Sequence, residues 1–367
     1  MRYMGKLLRQ GKRKTFRNYV CQFRMPVFPP GMAGKAQTLR CLTLYELGDK
    51  NPGRIVGYHA LNSSSGGFCA IWIYCLNRLA FAERMGIPLA INWYASKIYQ
   101  EPTPYRGTSN LFEYYFQQPC GLSVEEALNS QNVFFDYNSE FLGFDDVFHP
   151  SGPKDYKYTP EDIVLLGELN RKYIRFQPWT EKDLAADLDK LFTKERIVGV
   201  HARGTDFKLG YKGHPTAISV GKYIQTAKDQ MDKYHAEKVF LATDDLDYLD
   251  AFKKAFGDRL LYYPDAVRTS NTIWNAEFDQ NRKLHRYRLG YEILRDTWTL
   301  AHCDTLLCSL SYVGLMAQVL SYSEGLQYSE VIRLDDGVNR TGINLTSQEA
   351  RNKVRRQWEK EQKKGGQ

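Results

Sequence analysis

The chain has 367 residues, of which 43% are apolar and 14% aromatic, and a formal net charge of +8. This length and composition exclude a disordered polymer and predict two ordinary domains, each with its own core. The seven cysteines are odd in number and scattered, without paired Cys-x-x-Cys spacing, so neither a disulfide framework nor a zinc site is indicated.

The positive charge is concentrated at the two ends. Residues 1–24 contain eight Lys/Arg and no acid, and residues 349–367 contain seven Lys/Arg against three Glu, which leaves the body mildly acidic. This distribution argues against a broad nucleic-acid-binding face. The tails are consistent with solvated ends, or with binding to an anionic membrane surface, since Tyr3, Met4, Leu7 and Leu8 offer a small apolar face.

The first twenty residues lack the continuous apolar stretch of a signal peptide. No later run reaches the roughly 18 apolar residues of a membrane-spanning helix. We therefore expect reduced thiols and a cytoplasmic chain, which would lie on the inner face of a membrane if its tails bind lipid.

A strand, a glycine-rich turn and a helix open the first half. The strand is predicted at residues 54–59, the turn at 62–67, and the amphipathic helix after Phe68, followed by another strand at 88–93. The turn before the helix is compatible with anion binding, because free N–H groups point outward at a helix start. An ordinary βα turn explains the same residues.

Residues 95–119 are rich in aromatic side chains, which suit either a sugar-stacking surface or, our preferred interpretation, core beneath a long loop. A short strand is predicted at 133–135. Helices are expected over 160–176 and from 178 onward.

The second half alternates strands and helices more regularly, which predicts a parallel sheet covered on both faces. The predicted strands are 196–201, 238–242, 260–263 and 305–308. The predicted helices are 220–234, 246–256, 286–302 and one from about 311.

Polar clusters follow three of these strands: His201 to Asp206, Thr243 to Asp245, and Ser309 to Ser311. Open α/β sheets bind ligands beyond the carboxyl ends of their strands, so these clusters predict one shared site. Arg203 offers a planar fork of donors that suits phosphate. Taken alone, the first cluster also fits a strand that ends in a surface ion pair.

The acidic pairs Asp145-Asp146, Asp244-Asp245 and Asp335-Asp336 do not establish a metal site. A cation needs several converging oxygen ligands, and acids at a strand-to-helix junction also serve as helix caps. We therefore predict no metal ligands.

Four motifs occur in a recognisable order: Gly67-Phe68 before a helix, His201-x-Arg203-x-x-Asp206, Leu241 to Asp245, and Asp296 followed by Cys308 to Ser311. Together they resemble the alpha-1,6-fucosyltransferase and O-fucosyltransferase superfamily, with the closest likeness to bacterial nodulation fucosyltransferases. The resemblance runs from about Val56 to Leu320.

The resemblance implies an α/β GT-B-like fold, in which two Rossmann-like domains with parallel sheets face each other across a cleft. The expected divisions are a basic arm and linker at 1–38, an acceptor-side domain at 39–195, a GDP-sugar domain at 196–345, and a basic tail at 346–367. The implied activity is metal-independent transfer of L-fucose from GDP-fucose, with inversion, to a glycan acceptor. GDP-fucose would be the donor substrate, with no cofactor.

The resemblance also implies roles for individual residues. Arg203 would hold the diphosphate, and His201 and Asp296 would lie against guanine. Ser311 and the backbone at Gly67 would reach phosphate oxygens, Phe68 would belong to the same donor site, and Asp244 would shape the pocket. These assignments agree with the polar clusters at the predicted strand ends.

The chain departs from the eukaryotic alpha-1,6 enzymes at two places. Gly204 stands where they have a second basic residue, and residues 207–212 lack their Glu. The acceptor and its linkage stay open, and Asp206 is our candidate general base, although it could equally orient the Arg203 loop.

Three alternatives remain at this level. The same fold could use another GDP-sugar. A dinucleotide-dependent oxidoreductase is suggested by the glycine-rich turn, but Gly66-Gly67 lacks the third spaced glycine and Asn92 stands in place of an acid after the second strand. A non-catalytic protein that binds membranes or nucleic acid through its tails is the third.

Overall fold

The computed structural model describes residues 18–21, 40–62, 67–137, 158–192, 194–210, 212–270 and 282–341. They form two five-stranded sheets with helices packed on them. The strands are β1 (Asn18–Cys21), β2 (Arg40–Tyr45), β3 (Lys50–Asn62), β4 (Leu89–Tyr94), β5 (Ser130–Tyr137), β6 (Ile197–Ala202), β7 (Lys238–Thr243), β8 (Leu260–Leu261), β9 (Thr305–Ser309) and β10 (Glu330–Leu334).

The α-helices alternate with most of these strands. In chain order they are α1 (Phe68–Met85), α2 (Val124–Leu128), α3 (Pro160–Tyr173), α4 (Pro178–Leu191), α5 (Val220–Tyr234), α6 (Leu246–Phe256), α7 (His285–Ala301) and α8 (Tyr312–Ser323). Among the described residues, no helix is long and apolar enough to cross a membrane.

The second sheet is parallel throughout, in the order β10-β9-β6-β7-β8. β6 lies at its centre and is buried along its whole length, as expected for a parallel strand covered on both faces. Because all its strands run the same way, the carboxyl ends of β6, β7 and β9 meet at one edge. The parallel sheet predicted for the second half is confirmed.

The first sheet has the order β1-β2-β5-β3-β4 and is mixed. Its β3, β4 and β5 are parallel, whereas β2 pairs antiparallel with both β1 and β5. The predicted α/β class with two Rossmann-like units is confirmed, and the antiparallel strands β1 and β2 extend the parallel part of the first sheet. The short strand β1, which pairs with β2, lies within residues 1–38, the stretch predicted as a basic arm and linker.

The aromatic residues between β4 and β5 belong to the core. Tyr99 and a run from Leu111 to Phe116 pack around Phe68 and Trp93, with Phe112, Tyr114, Tyr115 and Phe116 fully buried. This confirms the core interpretation and leaves these rings no role as a sugar-stacking surface.

The same core joins the two halves of the chain. Tyr115 stacks on Tyr287 of α7 with ring centroids 5.4 Å apart, and its hydroxyl donates to the Tyr287 carbonyl at 2.7 Å. Asn170 of α3 donates to the Ser323 hydroxyl of α8 at 3.0 Å. The predicted domain boundary at 195/196 falls between α4 and β6, while side chains from both sides of it share one apolar cluster.

Candidate active site

Arg203 lies immediately beyond the carboxyl end of β6. Its guanidinium Nη1 is 2.7 Å from Oδ2 of Asp244, which follows β7, the neighbouring strand in the sheet. The Arg203 side chain is 34% exposed, so it reaches the surface at this edge of the sheet. The ion pair fixes the guanidinium where β6 and β7 end side by side.

Asp244 holds the backbone of the Arg203 loop as well as its side chain. Its Oδ1 accepts the Gly204 N–H at 3.0 Å, and its Oδ2 accepts the Thr205 hydroxyl at 2.6 Å. Burial raises the pKa of the Asp244 carboxyl. Arg203 and the two hydrogen bonds lower this pKa by more than burial raises it, so the pKa lies below its usual value. Asp244 is therefore a fixed negative charge that orients Arg203.

Asp245, next along the chain, caps helix α6. Its Oδ1 accepts the N–H groups of Asp247 and Tyr248, and its Oδ2 accepts the Thr205 N–H at 3.0 Å. A Cβ on Gly204 would lie 2.4 Å from the Asp245 side chain, which explains the glycine at that position. The expectation that an acid of this pair serves as a helix cap is confirmed.

His201, the penultimate residue of β6, lies on the same edge and is buried. Its Nδ1 is 3.0 Å from the hydroxyl of Ser311, the N-cap residue of α8. Burial and the nearby Arg203 lower the pKa of His201 to about 4, against a smaller opposite effect of Asp244. The imidazole is therefore neutral near pH 7.

Ser311 is committed to two internal contacts. Its hydroxyl oxygen accepts the Gly314 N–H at 3.1 Å and also bonds to His201. When the hydroxyl proton is donated to His201 Nδ1, the imidazole carries its proton on Nε2, away from Ser311. This arrangement makes Ser311 a positioning residue for His201, while its predicted contact with phosphate stays a prediction.

Asp296 lies in a second group, on helix α7. Its Oδ1 is buried and has no hydrogen-bond partner within the described residues. Burial raises the pKa of the Asp296 carboxyl to about 7, although the charges of Arg268 and Arg295 lower it. Asp296 Oδ1 is thus a buried acceptor to which no described residue donates.

Arg268 connects this second group with the first. Its Nε and Nη1 donate to the carbonyl oxygens of Thr243 at 3.1 Å and Tyr263 at 2.8 Å, and its Nη2 is buried without a partner among the described residues. The sequence reasoning missed Arg268. The signal that could have found it is a basic residue after the predicted strand 260–263, on the same edge as the other clusters.

Gly67 and Phe68 lie at the start of α1. Gly67 is exposed, and no atom lies within 4 Å of a Cβ built on it. Phe68 is buried at the centre of the aromatic core, and its N–H donates to the Tyr99 hydroxyl at 3.3 Å. The Phe68 side chain therefore belongs to the core, and the predicted places of Gly67 and Phe68 in donor binding stay predictions.

Asp206 follows Arg203 in the short 3-10 turn Thr205–Leu209. Its side chain lies outside the described residues, so its predicted role as general base stays a prediction. No group of three or more His, Cys, Asp or Glu suited to a metal ion occurs within the described ranges.

Residues 159–321 match the family model of the alpha-(1,6)-fucosyltransferase N- and catalytic domains. This segment includes His201, Arg203, Asp244, Asp296 and Ser311. The match covers less than half of the chain. The match confirms the resemblance stated from the sequence motifs and the prediction of a glycosyltransferase.

Solved fucosyltransferase structures show a distant likeness to the chain. The alpha-1,6-fucosyltransferase NodZ soaked with GDP-fucose has a TM-score of 0.44 and 16% identity, over 73% of this chain and 92% of that one. NodZ from Bradyrhizobium has a TM-score of 0.42 and 17% identity, over 73% and 93%. POFUT1 in complex with GDP has a TM-score of 0.45 and 12% identity, over 77% and 98%. The fucosyltransferase assignment rests on the family model.

Proposed function

We propose that this fucosyltransferase transfers L-fucose from GDP-fucose to a glycan acceptor, with inversion and without a metal ion. The observation that carries the proposal is the fixed pair of Arg203 and Asp244 at the adjoining ends of β6 and β7. The family match supports fucose as the transferred sugar, and the side chains at the sheet edge support GDP as the nucleotide that carries it.

Arg203 suits the leaving diphosphate. Its Nη1 is held by Asp244, the side chain is 34% exposed, and the planar guanidinium has the shape that binds two phosphate oxygens at once. Negative charge builds on the β-phosphate as the bond to fucose breaks, and a preorganised donor at that place lowers the barrier. The permanent positive charge of Arg203 is our reason for proposing that no metal is required.

The unpaired atoms around Asp296 and Arg268 suit guanine. The Asp296 carboxylate can accept the two adjacent N–H groups of guanine, and Arg268 Nη2 can donate to a guanine acceptor, O6 or N7. Uracil and adenine lack that combination of two neighbouring donors and two acceptors. This complementarity favours a GDP-sugar over a UDP-sugar or NAD.

Inverting transfer needs a base for the acceptor hydroxyl. We propose Asp206, which lies in the turn after Arg203. Its carboxylate would take the hydroxyl proton as the acceptor oxygen attacks the anomeric carbon and GDP leaves from the opposite face.

The test is calorimetric titration of the purified full chain with GDP-fucose, GDP-mannose, UDP-glucose and NAD, each with and without excess chelator. We expect GDP-fucose to bind most tightly and to bind equally in chelator. Tighter binding of GDP-mannose than of GDP-fucose would show that the donor is another GDP-sugar. Strict dependence of binding on magnesium would contradict the metal-free mechanism. Tightest binding of NAD would overturn the proposal as a whole.

A further inference from the structure

Two groups that suit guanine lie on different elements: Asp296 on helix α7, and Arg268 in the loop 263–269 that follows β8. We propose that Arg295, the neighbour of Asp296 on α7, is a positioning residue for guanine recognition, because it holds this loop against the helix. The inference rests on the proposed function for the word guanine, and on the contacts of Arg295 for the positioning role.

The loop 263–269 is attached to α7 at every second residue. The attachments join Tyr263 to Thr299, Asp265 to Arg295 and Val267 to Glu292. Because the three helix residues are spaced by four and three positions, they lie on one face of α7, and the loop runs along that face. The two outer attachments are single hydrogen bonds of 2.8 Å and 3.3 Å, whereas the middle one is an ion pair.

Arg295 contacts two residues of the loop at once. Its Nη1 and Nη2 donate to the two carboxylate oxygens of Asp265, at 3.1 Å and 2.9 Å. Its guanidinium carbon lies 3.9 Å from the centre of the Tyr263 ring. A bidentate ion pair fixes the orientation of its partner, and a cation over an aromatic ring adds a second attraction. Arg295 therefore fixes both the position and the tilt of the loop.

The loop passes this position on to Arg268. Arg268 Nη1 donates to the carbonyl oxygens of Tyr263 at 2.8 Å and Ala266 at 3.2 Å, so the loop wraps around the guanidinium. At its other end the Thr269 N–H donates to the Asp244 carbonyl at 3.0 Å. A loop released from α7 would therefore carry the Arg268 guanidinium away from its place at the sheet edge.

Helix α4 holds Arg295 from the other side. Nη1 of Arg295 donates to Asp187 at 3.1 Å, and Asp187 also accepts from the Tyr291 hydroxyl at 3.0 Å and pairs with Lys190 at 2.7 Å. The Arg295 side chain is only 4% exposed. Its position is thus set by acids of the protein before any base binds, which is the condition for preorganised recognition.

Arg295 also acts on the charge of Asp296. Burial raises the pKa of Asp296 most, and the positive charges of Arg268 and Arg295 lower it. Two acids of the same group, Glu292 and Asp265, raise it further. Removing the charge of Arg295 should therefore raise the pKa of Asp296 and move its ionised, guanine-binding form to higher pH.

Elements packed against α7 bring further ionisable groups, which keep one charge state between pH 6 and 9. His201 at the end of β6 has a pKa of about 4, and burial raises the pKa of Cys69 on α1 to about 12. Burial raises the pKa values of Asp187 on α4 and Asp244 after β7, but their cationic partners lower these values below the usual one. Helix α8 contains no acidic or basic side chain.

The test is calorimetric titration of the purified full chain with GDP and UDP at pH 6, 7, 8 and 9. Arg295→Met removes the charge and the fork, whereas Arg295→Lys keeps the charge and loses the fork. Arg171→Met is the matched control. Arg171 also donates between helices, to the Ser323 carbonyl at 2.8 Å, and lies over the Tyr322 ring, but at the end of α8 farthest from Ser311. Thermal unfolding checks the fold of every variant.

We expect the GDP-to-UDP affinity ratio at pH 9 to fall at least about tenfold in Arg295→Met and about threefold in Arg295→Lys. The pH midpoint of the ratio should rise by about one unit or more in Arg295→Met and stay near the parent value in Arg295→Lys. UDP affinity should be unchanged, and Arg171→Met should behave as the parent chain.

A parent ratio and a parent midpoint in Arg295→Met would overturn the inference. Equal losses of GDP and UDP affinity would also overturn it, because a merely structural role acts on both nucleotides. If Arg295→Met does not fold, Asp265→Ala decides, since this carboxylate is 67% exposed and belongs to the same ion pair.

In Asp265→Ala the ratio at pH 9 should fall about threefold, and its midpoint should move to lower pH because an acid near Asp296 is lost. An unchanged ratio in this variant would overturn the inference. A parent chain without preference for GDP over UDP would contradict the proposed function and the inference together, whereas a parent preference that survives both substitutions contradicts the inference alone.

Discussion

The preference for guanine should depend on pH through Asp296. Burial raises the pKa of this carboxyl to about 7 from its ordinary value of 3.8. Only the ionised form accepts both guanine N–H groups, because a protonated carboxyl has turned one acceptor into a donor. We therefore expect binding of GDP to strengthen as the pH rises through 7.

The size of the effect follows from the titration. With a pKa of about 7 in the free protein, roughly nine-tenths of Asp296 is ionised at pH 8 and roughly one-tenth at pH 6. If the carboxylate stays ionised in the complex, GDP affinity falls about tenfold between these pH values, which is about 1.4 kcal/mol. His201, with a pKa of about 4, stays neutral across the range and adds no slope.

The assay is calorimetric titration with GDP and UDP at pH 6, 7 and 8. UDP carries the same diphosphate, so the ratio of the two affinities removes the titration of the phosphate and isolates the base. Asp296→Asn is the matched variant, because it keeps one acceptor oxygen but cannot titrate.

We expect the GDP-to-UDP ratio to fall about tenfold between pH 8 and pH 6 in the parent chain. In Asp296→Asn it should be low and independent of pH. A parent ratio that is flat with pH, or an Asn variant with the same slope as the parent, would refute the reasoning.

Three further outcomes follow from the structure and the sequence. Gly204→Ala places a Cβ 2.4 Å from the Asp245 side chain. Turnover should therefore fall at least about tenfold, and the free energy of unfolding should fall by about 1–3 kcal/mol. A stable variant with full turnover would show that the loop shifts freely. Ser311→Ala removes the N-cap of α8 and the contact with His201. Chemical denaturation should show a free energy of unfolding lower by about 1–2 kcal/mol. An unchanged denaturation midpoint would contradict the positioning role. We also propose that the basic arm binds anionic lipid, so deleting residues 2–14 should abolish vesicle co-sedimentation at low salt without changing turnover; retained co-sedimentation would contradict this.

Four of the five strands of the second sheet could be predicted from the sequence, whereas β10, in which buried and exposed residues are mixed, could not. β6, β7 and β9 are apolar runs that end in polar clusters, and helices α5, α6 and α8 begin after polar N-cap residues. Helix α5 begins after Ser219, whose hydroxyl accepts the Lys222 N–H, and ends at His235 in a left-handed conformation. Local signals of this kind explain why the predicted bounds 220–234 are those observed.

The antiparallel part of the first sheet could not be predicted in this way. β1 is four residues long and lies among basic residues, and β2 pairs with β5, about ninety positions further along the chain. Such pairing is decided by contacts distant in sequence, which short-range patterns do not report.

The candidate site was predictable where polar residues follow long strands, as at His201, Arg203 and Asp244. Arg268 was missed because it lies seven positions beyond Leu261, the last residue of β8, and not in a polar cluster directly after the strand. Phe68 was assigned to the site through the family resemblance, in which Gly67-Phe68 precede a helix. Only its five aromatic neighbours decide for the core.

The central claim is that Arg203 stabilises the departing diphosphate, and steady-state kinetics of Arg203→Lys and Arg203→Ala with GDP-fucose test it most directly. Lys keeps the charge but loses the planar fork that binds Asp244 and phosphate together. We predict that Arg203→Ala lowers kcat at least about a hundredfold, on the order of 3 kcal/mol, and that Arg203→Lys is also severely impaired. A rise in KM with kcat near the parent value would contradict the account, because Arg203 would then bind the donor equally in the ground and transition states.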